Sequence, residues 1–379
     1  MSTIGILGGG QLARMLAIAG APLGQRFLIV DAVEDACAGQ VAPLITADWH
    51  DRAALDAFAR RIDVATFDFE NVPADVAHRL TGHTRVFPNP NALAVAQDRL
   101  AEKTLFREIG LDTARHMAID DRADLERALR ELGTPAVLKT RRLGYDGKGQ
   151  FLLQGVEDID AAWAALGGAP SILEAFIRFQ REVSVIAVRS RDGEFRHYPL
   201  TRNWHANGVL SISLPLVTGA HELEREAVAH ARRLAERLDY VGTFALELFV
   251  DGDRLLGNEM APRVHNSAHW TIEGAVCSQF ENHVRAVAGL PLGDTSARGY
   301  SVMLNWIGEL PDAQAALIEA DTHWHDYGKQ SRAGRKVGHA TLCARDAKAL
   351  AGRLERVAKR LDCMQQAEPA LAALAAQMD

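Results

Sequence analysis

The sequence predicts a protein of several domains, which begins with an α/β domain and continues with mixed α+β structure. Its 379 residues exceed what one compact core usually accommodates. Short apolar strands alternate with helices over residues 3–87, the pattern of a parallel sheet covered on both faces. The segment FPNPNAL, residues 87–93, then interrupts the chain with two prolines and two asparagines. Candidate antiparallel strands follow it.

The first region is predicted to contain four strands and at least three helices. The helices begin at Gln11, near residue 51 and close to Pro73, which suits the first turn of a helix because its missing N–H costs nothing there. The strands are predicted at residues 3–8, 27–31, 64–67 and 86–87. We place the first domain boundary between residues 94 and 95.

The rest of the chain is predicted to divide after the segment GLPLG, at residue 293, into a central domain (95–293) and a small β-rich domain with a terminal helix (294–379). The sequence DGD between two apolar strands indicates a β-hairpin. Its arms are residues 244–250 and 254–259, and the other predicted central elements are strands at 136–140, 171–175, 182–190 and 196–201 and a helix at 222–238.

Composition and charge exclude several classes of protein. The net charge of −7 offers no bulk basic surface, so we predict no nucleic-acid partner. No run approaches the ~18–20 apolar residues that span a membrane, so no membrane association is predicted. The four cysteines lie far apart in the sequence, which argues against a metal knuckle or a disulfide framework. Buried thiols in a reducing cytoplasm are the expectation.

The first strand ends in a glycine-rich turn, GILGGGQLARM, at residues 5–15. Gly8, Gly10 and Ala13 fit the dinucleotide-binding pattern, in which glycines let the backbone approach a phosphate at a helix N-terminus. Asp31 ends the second strand and could hold a ribose hydroxyl. The pattern alone leaves two alternatives open: a phosphate site of some kind, or a tight turn without a ligand.

Lys139 ends a predicted strand and precedes the glycine-rich loop GYDGKGQ, residues 144–150. A lysine supplies a point charge, and glycines let backbone N–H groups reach phosphate oxygens. The combination predicts a clamp for a polyphosphate, with a flexible surface hairpin as the alternative.

Glu247 and Glu259 lie on the two arms of the predicted hairpin. An odd-length loop would place both on one face of the sheet, whereas a two-residue turn would not. Two carboxylates on one face repel unless a cation lies between them, and magnesium bound with nucleotide phosphates fits that requirement. The alternative is a pair of solvated glutamates.

The segment NEMAPRVHNSAHWT, residues 258–271, is rich in polar side chains with little hydrophobic periodicity. Arg263 suits a planar oxyanion such as bicarbonate or phosphate. His265 and His269 suggest zinc only weakly, because no third ligand has suitable spacing. We interpret the nearby histidines at 323 and 325 as packing residues.

A basic cluster in the last domain contrasts with the acidic composition of the chain. It predicts either a site for a substrate phosphate or a solvated turn. Its members are Lys329, Arg332, Arg335, Lys336 and His339.

Taken in order, these motifs resemble the ATP-grasp superfamily and, within it, the 5-(carboxyamino)imidazole ribonucleotide synthetase family. The strings FDFENVP, QDRLAEK, LKTRRLGYDGKGQ, NEMAPRVHNSAHWTIEGAVCSQFENHVRA and GRKVGH carry the resemblance, which covers nearly the whole chain. It implies a Rossmann-like (pre-ATP-grasp) N-terminal domain, a central ATP-grasp domain and a C-terminal β-rich domain. It also implies a cytoplasmic homodimer.

The resemblance implies roles for individual residues of this sequence. It implies magnesium held by Glu247 and Glu259, and a reaction centre at Arg263, Lys139, Asp146, His265 and Asn266. The implied ATP site comprises Arg99, Lys139, Gly144, Tyr145, Asp146, Gly147, Lys148, Gly149, Gln150, Glu174, Ala175, Phe176, Ile177, Glu182, His205, Asn258 and Glu259. The implied ribonucleotide site comprises Gly10, Gln11, Leu12, Glu70, Asn71, Lys329, Arg335 and Lys336.

The implied reaction uses ATP and bicarbonate to form carboxyphosphate. Carboxyphosphate, or CO₂ released from it, then carboxylates the exocyclic amine of 5-aminoimidazole ribonucleotide. The sequence departs from the family pattern at a few positions, but none removes an implied ATP or magnesium ligand. They are Ala13, Leu143, Arg202 and Ala268. The alternatives are another ATP-grasp ligase, an NAD-dependent oxidoreductase, for which the glycine turn and Asp31 are the evidence, and a nucleotide-binding protein without turnover.

Overall fold

The structure, a computed structural model, describes residues 2–142, 144, 149–218 and 221–377. The stretch 2–97 forms an α/β domain around a parallel sheet with the strand order β3-β2-β1-β4-β5. The strands are β1 (Thr3–Leu7), β2 (Arg26–Asp31), β3 (Leu44–Thr46), β4 (Val64–Phe67) and β5 (Arg85–Val86). The helices are α1 (Gln11–Gly20), α2 (Arg52–Ala59), α3 (Ala74–Leu80) and α4 (Pro90–Ala96).

This parallel sheet confirms the predicted fold class of the N-terminal region. Ile4, Ile6 and Ile29 are almost completely buried between the sheet and its helices, as continuous apolar strands require. The carboxyl end of β1 leads directly into the glycine turn and α1, so that the turn opens at the edge where ligands bind in such sheets.

The next region contains a smaller antiparallel sheet with the strand order β6-β9-β7-β8. Asp121 caps a helix of this region by accepting a hydrogen bond from the backbone N–H of Asp124. The elements are α5 (Arg99–Glu108), β6 (His116–Ile119), α6 (Arg122–Leu132), β7 (Ala136–Thr140), β8 (Gln150–Leu153), α7 (Ile159–Ala165) and β9 (Ser171–Ala175). Strand β9 pairs with β7, and this brings Glu174 next to the strand that carries Lys139.

A larger sheet has the order β15-β14-β10-β12-β13-β16-β18-β17, with β11 paired to β10. Its first elements are β10 (Arg181–Arg189), β11 (Phe195–His197), β12 (Thr201–Ala206), β13 (Val209–Pro215), α8 (His221–Arg237), β14 (Gly242–Asp251), β15 (Arg254–Ala261), α9 (Thr271–Gly274) and α10 (Gln279–Ala288). The C-terminal elements are β16 (Tyr300–Ile307), α11 (Ala313–Leu317), β17 (Thr322–Asp326), β18 (Lys336–Ala344), α12 (Ala347–Arg360) and α13 (Met364–Ala375).

The large sheet is continuous across residue 293, because β13 pairs with β16. The backbone after β17 and the start of β18 therefore lie over the same cavity as the central strands. The predicted single terminal helix is wrong in detail, since Asp362 adopts a left-handed conformation (φ 52°) between α12 and α13.

The hairpin of β14 and β15 has a two-residue turn, since Asp251 pairs with Arg254. The expectation of an odd-length loop is therefore wrong. A β-bulge nevertheless puts Glu247 directly opposite Glu259, because the register shifts between Glu247 and Leu248. Leu248 pairs with Gly257, so Asn258 is the extra residue of the bulge. The bulge, and not an odd-length loop, is therefore the reason why Glu247 and Glu259 lie on the same face of the sheet.

Candidate active site

One cavity of about 950 Å³ is lined by residues of the N-terminal domain, both central sheets and the C-terminal region. It contains most of the residues that the sequence suggested. Those lining it are Gly10, Gln11, Leu12, Glu70, Asn71, Arg99, Lys139, Gly144, Gln150, Glu174, Ala175, Phe176, Ile177, Glu182, His205, Glu247, Asn258, Glu259, Arg263, His265, Asn266, Lys329, Arg332, Arg335 and Lys336. Tyr145, Asp146, Gly147, Lys148 and Leu143 lie outside the described residues, and Gly149 does not line the cavity.

At one end of the cavity, two lysines converge on a buried carboxylate. Lys139 Nζ donates to Glu174 Oε2 at 2.6 Å, and Lys103 Nζ lies 3.4 Å from Glu174 Oε1. Burial by itself would raise the pKa of Glu174, but the two ammonium groups outweigh it and hold that pKa well below the ordinary value. This end is therefore a fixed, charged site beside the backbone of Phe176 and Ile177, which suits a nucleotide.

A second pair lies on neighbouring strands of the large sheet, where Glu182 of β10 contacts His205 of β12 through an ion pair. Burial alone would lower the pKa of His205, but the hydrogen bond and charge of Glu182 outweigh it, so the pKa is raised. The pair presents a hydrogen-bonding surface to the cavity.

The carboxylates of Glu247 and Glu259 face each other across the hairpin and line the cavity. His265 Nε2 lies 2.9 Å from Glu247 Oε1, and Arg99 Nη1 donates to Glu259 Oε2 at 3.2 Å. Burial would raise the pKa of Glu247, but nearby His265 outweighs it and lowers the pKa to about 2. Two carboxylates on one face of the hairpin at a cavity wall are a donor set that fits magnesium.

Arg263 projects from the segment after β15 and forms an ion pair with Glu70 of the N-terminal domain. Burial would raise the pKa of Glu70, but the guanidinium outweighs it and lowers the pKa to about 2. Asn266 is 8% exposed, and both polar atoms of its side chain lack a hydrogen-bond partner among the described residues. A buried amide of this kind at a cavity wall is suited to a polar ligand.

At the opposite end, the glycine turn is already bonded to the protein's own carboxylates. Asp68, which follows β4, accepts hydrogen bonds from the N–H groups of Gly10 and Ala13, the latter at 3.1 Å. Asp31 accepts from the N–H groups of Gly9, at 2.5 Å, and Val33, at 2.8 Å. Asp31 therefore supports the turn through both of its carboxylate oxygens, and it also lines the cavity.

The basic cluster only partly follows the prediction. Lys329, Arg332, Arg335 and Lys336 line the cavity, and Lys329 donates a hydrogen bond to the side chain of Gln11. The inclusion of His339 is wrong, because its ring is fully buried between strands and does not line the cavity. Burial lowers the pKa of His339 well below the ordinary value, so the ring is neutral. His325 stacks on it with ring centroids 4.2 Å apart, as a packing residue should.

Comparison with known proteins identifies the family to which the chain belongs. The chain matches the family descriptions "Ribonucleotide synthetase preATP-grasp domain" over residues 1–97, "ATP-grasp domain" over 104–280 and "Phosphoribosylaminoimidazole carboxylase C-terminal domain" over 301–353. The N5-carboxyaminoimidazole ribonucleotide synthase of Pseudomonas aeruginosa is 50% identical over 93% of this chain and 98% of its own length. The chain belongs to the N5-carboxyaminoimidazole ribonucleotide synthase family.

Solved structures of this synthase family agree with that placement. The synthetase from Thermus thermophilus is 51% identical and superposes with a TM-score of 0.89, covering 94% of this chain and 98% of its own. The Aspergillus clavatus synthase, whose crystal structure contains ADP and 5-aminoimidazole ribonucleotide, is 29% identical with a TM-score of 0.89. It covers 95% of this chain and 98% of its own. The resemblance that the sequence motifs indicated is confirmed, and the protein is an ATP-grasp ligase of this synthase family.

Three buried residues of the site were not predicted from the sequence. They are Asp68, Glu102 and Lys103, which are 5%, 2% and 1% exposed. Burial raises the pKa of Asp68 to about 6 and that of Glu102 to about 8. Their partners lie 55 to 158 positions away along the chain, so spacing could not reveal them. The sequence signal that could have indicated Glu102 and Lys103 was the presence of two charged residues within the predicted helix after residue 95.

Among the residues that the structure describes, every helix is too short or too polar to span a membrane.

Proposed function

We propose that the protein carboxylates the exocyclic amine of 5-aminoimidazole ribonucleotide, with ATP and bicarbonate as co-substrates, in purine biosynthesis. The observation that carries the proposal is the single cavity, which joins the Lys139–Glu174 end to the basic residues beside the glycine turn. A nucleotide at one end and a ribonucleotide phosphate at the other would bring their reacting groups together near Arg263, between the two ends. Positioning of this kind supplies much of the rate of phosphoryl and acyl transfer.

Each end of the cavity has a proposed ligand. Arg99 and Lys139 contact the phosphates of ATP, the backbone of Glu174 to Ile177 reads adenine, and Glu182 and His205 hold the ribose. The turn at residues 10–12 and the segment at 70–71 face the ribonucleotide, whose phosphate meets Lys329, Arg335 and Lys336. Gly144 and Gln150, the described ends of the glycine loop, line the same cavity, and the loop is assigned to the phosphates of ATP.

The reaction proceeds in two transfers. An oxygen of bicarbonate attacks the γ-phosphorus of ATP, the bond to the β-phosphate breaks, and ADP and carboxyphosphate form. The substrate amine then attacks the carbonyl carbon, inorganic phosphate leaves, and the amine loses a proton. Arg263 and Asn266 hold the planar oxyanion, with Glu70 fixing the guanidinium from the N-terminal side.

Glu247 and Glu259 would hold magnesium, with Asn258 beside them. A magnesium ion held by these carboxylates would supply positive charge against the transferring phosphoryl group. His265 contacts Glu247 at 2.9 Å and thereby orients this carboxylate toward the cavity. The proposed homodimer and cytoplasmic location stay predictions, and multi-angle light scattering on the purified chain tests the first.

The direct test is identification of the product. The purified protein is incubated with ATP, magnesium, 5-aminoimidazole ribonucleotide and ¹³C-bicarbonate. We expect a ¹³C carbamate resonance whose formation requires all four components. A carboxylated product of a different amine would keep the ligase class but refute the proposed acceptor, and ¹³C label in no product would refute the proposal.

A further inference from the structure

Helix α5 contacts the bulge of the β14–β15 hairpin through two buried charged residues. We propose that Glu102 and Lys103 are positioning residues, which hold the β-bulge at Asn258 and so keep Glu247 and Glu259 aligned as a pair of metal ligands. This inference rests on the proposed role of those two carboxylates in binding magnesium. Neither Glu102 nor Lys103 is among the residues assigned above to bind substrate or metal.

Lys103 holds the bulge on one side of Glu259. Its ammonium donates to the backbone carbonyl of Asn258 at 2.6 Å and to that of Gly257 at 3.2 Å. The third partner is Glu174, 3.4 Å away. The two carbonyl oxygens accept hydrogen bonds from the ammonium group, and the carboxylate of Glu174 supplies an opposite charge beside it. Asn258 is the extra residue of the bulge and has no cross-strand partner in β14, so the lysine takes up its carbonyl.

Glu102 holds the other side of the same residue. Its Oε1 accepts a hydrogen bond of 2.6 Å from the backbone N–H of Met260. The backbone is therefore fixed immediately before and immediately after Glu259 by adjacent residues of one helix. Arg99, at the start of the same helix, donates to the Glu259 carboxylate itself. Both the backbone and the side chain of Glu259 are thus held by α5.

The energetic cost of this arrangement argues for a specific purpose. Lys103 is 1% exposed, and burying its ammonium group carries a desolvation penalty of several kcal/mol. Glu102 is 2% exposed, and burial of its polar carboxyl group is also costly, since it raises the pKa to about 8 and so disfavours the charged form. Apolar residues would pack at these positions against the core formed by Phe106 and Leu111 at lower cost. A bulge, however, leaves backbone groups without ladder partners, and only polar side chains satisfy them. The helix therefore supports the geometry that the two-residue turn alone would not produce.

Metal binding measured directly separates positioning from mere stability. The probe is Mn²⁺ in place of magnesium, with free Mn²⁺ measured by EPR in the presence of ADP, on the full chain. Glu102→Met removes the acceptor, Glu102→Gln retains an amide oxygen that can accept from Met260, and Lys103→Met removes the ammonium. Leu105→Ala is the matched control, because it truncates a buried apolar side chain of the same helix, which cannot hydrogen-bond to the bulge. ADP binding without metal is measured in parallel.

We expect the apparent Mn²⁺ dissociation constant to rise about tenfold or more in Glu102→Met and Lys103→Met, as for other residues that orient metal ligands. Glu102→Gln should stay within about threefold of the wild type, and Leu105→Ala should bind Mn²⁺ normally despite a lower melting temperature. Glu259→Gln, in the same titration, tests the metal site itself. If Glu259→Gln binds Mn²⁺ normally, the proposed metal site is wrong.

Two results would overturn the positioning role. Both apply only if Glu259→Gln has lost Mn²⁺ binding, since this loss shows that the metal site is correctly placed. In the first, folded Glu102→Met and Lys103→Met bind Mn²⁺ as the wild type does. In the second, Glu102→Gln is as weak as Glu102→Met, which would show that the acceptor at residue 102 is irrelevant. If Lys103→Met does not fold, the two Glu102 variants decide the question, since they leave the contact between Lys103 and Glu174 intact.

Discussion

The glycine turn after β1 and the β14–β15 hairpin carry the two simplest ligand-binding patterns of the sequence, but their polar groups are used differently. In the turn, the N–H groups of Gly9, Gly10 and Ala13 are bonded to carboxylates of the chain itself, Asp31 and Asp68. In the hairpin, two carboxylates, Glu247 and Glu259, face each other and the cavity. What each sequence pattern can bind therefore depends on which of its polar groups already form hydrogen bonds within the protein.

The same comparison explains why a dinucleotide-binding pattern does not make a dinucleotide site here. A helix N-terminus attracts an anion through its unpaired N–H groups and its dipole. Asp68 supplies that anion at α1, and Asp31 is used to support the turn. Gln11, the first residue of α1, instead lies beside Lys329 at the wall of the cavity. The turn acts as a wall of the cavity.

The largest effect is expected in the hairpin. Glu259→Gln removes one carboxylate charge from the pair while keeping the side-chain shape, so turnover at fixed magnesium should fall at least about 100-fold. The fold should be intact, with an unchanged circular dichroism spectrum. Initial-rate measurements across a magnesium titration check this. Near-normal activity at saturating magnesium would contradict the assignment.

Lys336→Ala is expected to weaken binding of the ribonucleotide, since Lys336 is one of the basic cavity residues proposed to meet its phosphate. A charge-assisted contact is worth about 1.5–3 kcal/mol, so the KM for the ribonucleotide should rise about 10- to 100-fold with little change in the KM for ATP. Steady-state kinetics with each substrate varied in turn test it. A defect confined to ATP would show that the phosphate site has been placed at the wrong end.

The turn itself should respond through stability, with a characteristic pH dependence. Burial raises the pKa of Asp68 from 3.8 to about 6, so the folded state binds its proton more tightly than the unfolded state. Wild-type stability from this group is therefore lost as the pH rises between those values. Asp68→Asn does not titrate but loses one of two hydrogen bonds, worth about 1 kcal/mol. Its disadvantage in free energy of unfolding should be greatest near pH 4 and shrink toward pH 7.

Urea denaturation of both proteins at several pH values measures that difference. Asp31→Asn, which changes another carboxylate that supports the same turn, is the matched control. A disadvantage of Asp68→Asn that stays constant or grows between pH 4 and pH 7 would contradict the assigned state of the carboxylate.

The last prediction concerns NADH, for which we expect no binding. Because Asp31 is bonded to Gly9 and Val33, NADH should not bind at the turn. A fluorescence titration with NADH should give no saturable change, whereas ATP should protect the protein against thermal unfolding. Saturable NADH binding that Asp31→Ala abolishes would restore the dinucleotide interpretation.

The comparison also shows what the sequence could predict. Local patterns located the strands of the parallel sheet, the lysine at the end of β7 and the two hairpin glutamates, because each depends on neighbours in sequence or on a simple period. The turn length was wrong, and the bulge at Asn258 that corrects for it could not be predicted, since it depends on Glu102 and Lys103 of a distant helix. Asp68 was missed for the same reason: its partners are N–H groups of a turn 55 or more positions away.

The most direct test of the central claim is ADP release in ATP, magnesium and bicarbonate, measured with and without 5-aminoimidazole ribonucleotide. A cavity that joins a nucleotide end to a ribonucleotide end predicts slow release alone and strong stimulation by the ribonucleotide. Lys336→Ala should shift that stimulation to higher ribonucleotide concentrations. ADP release at the same rate with and without the ribonucleotide would contradict the account.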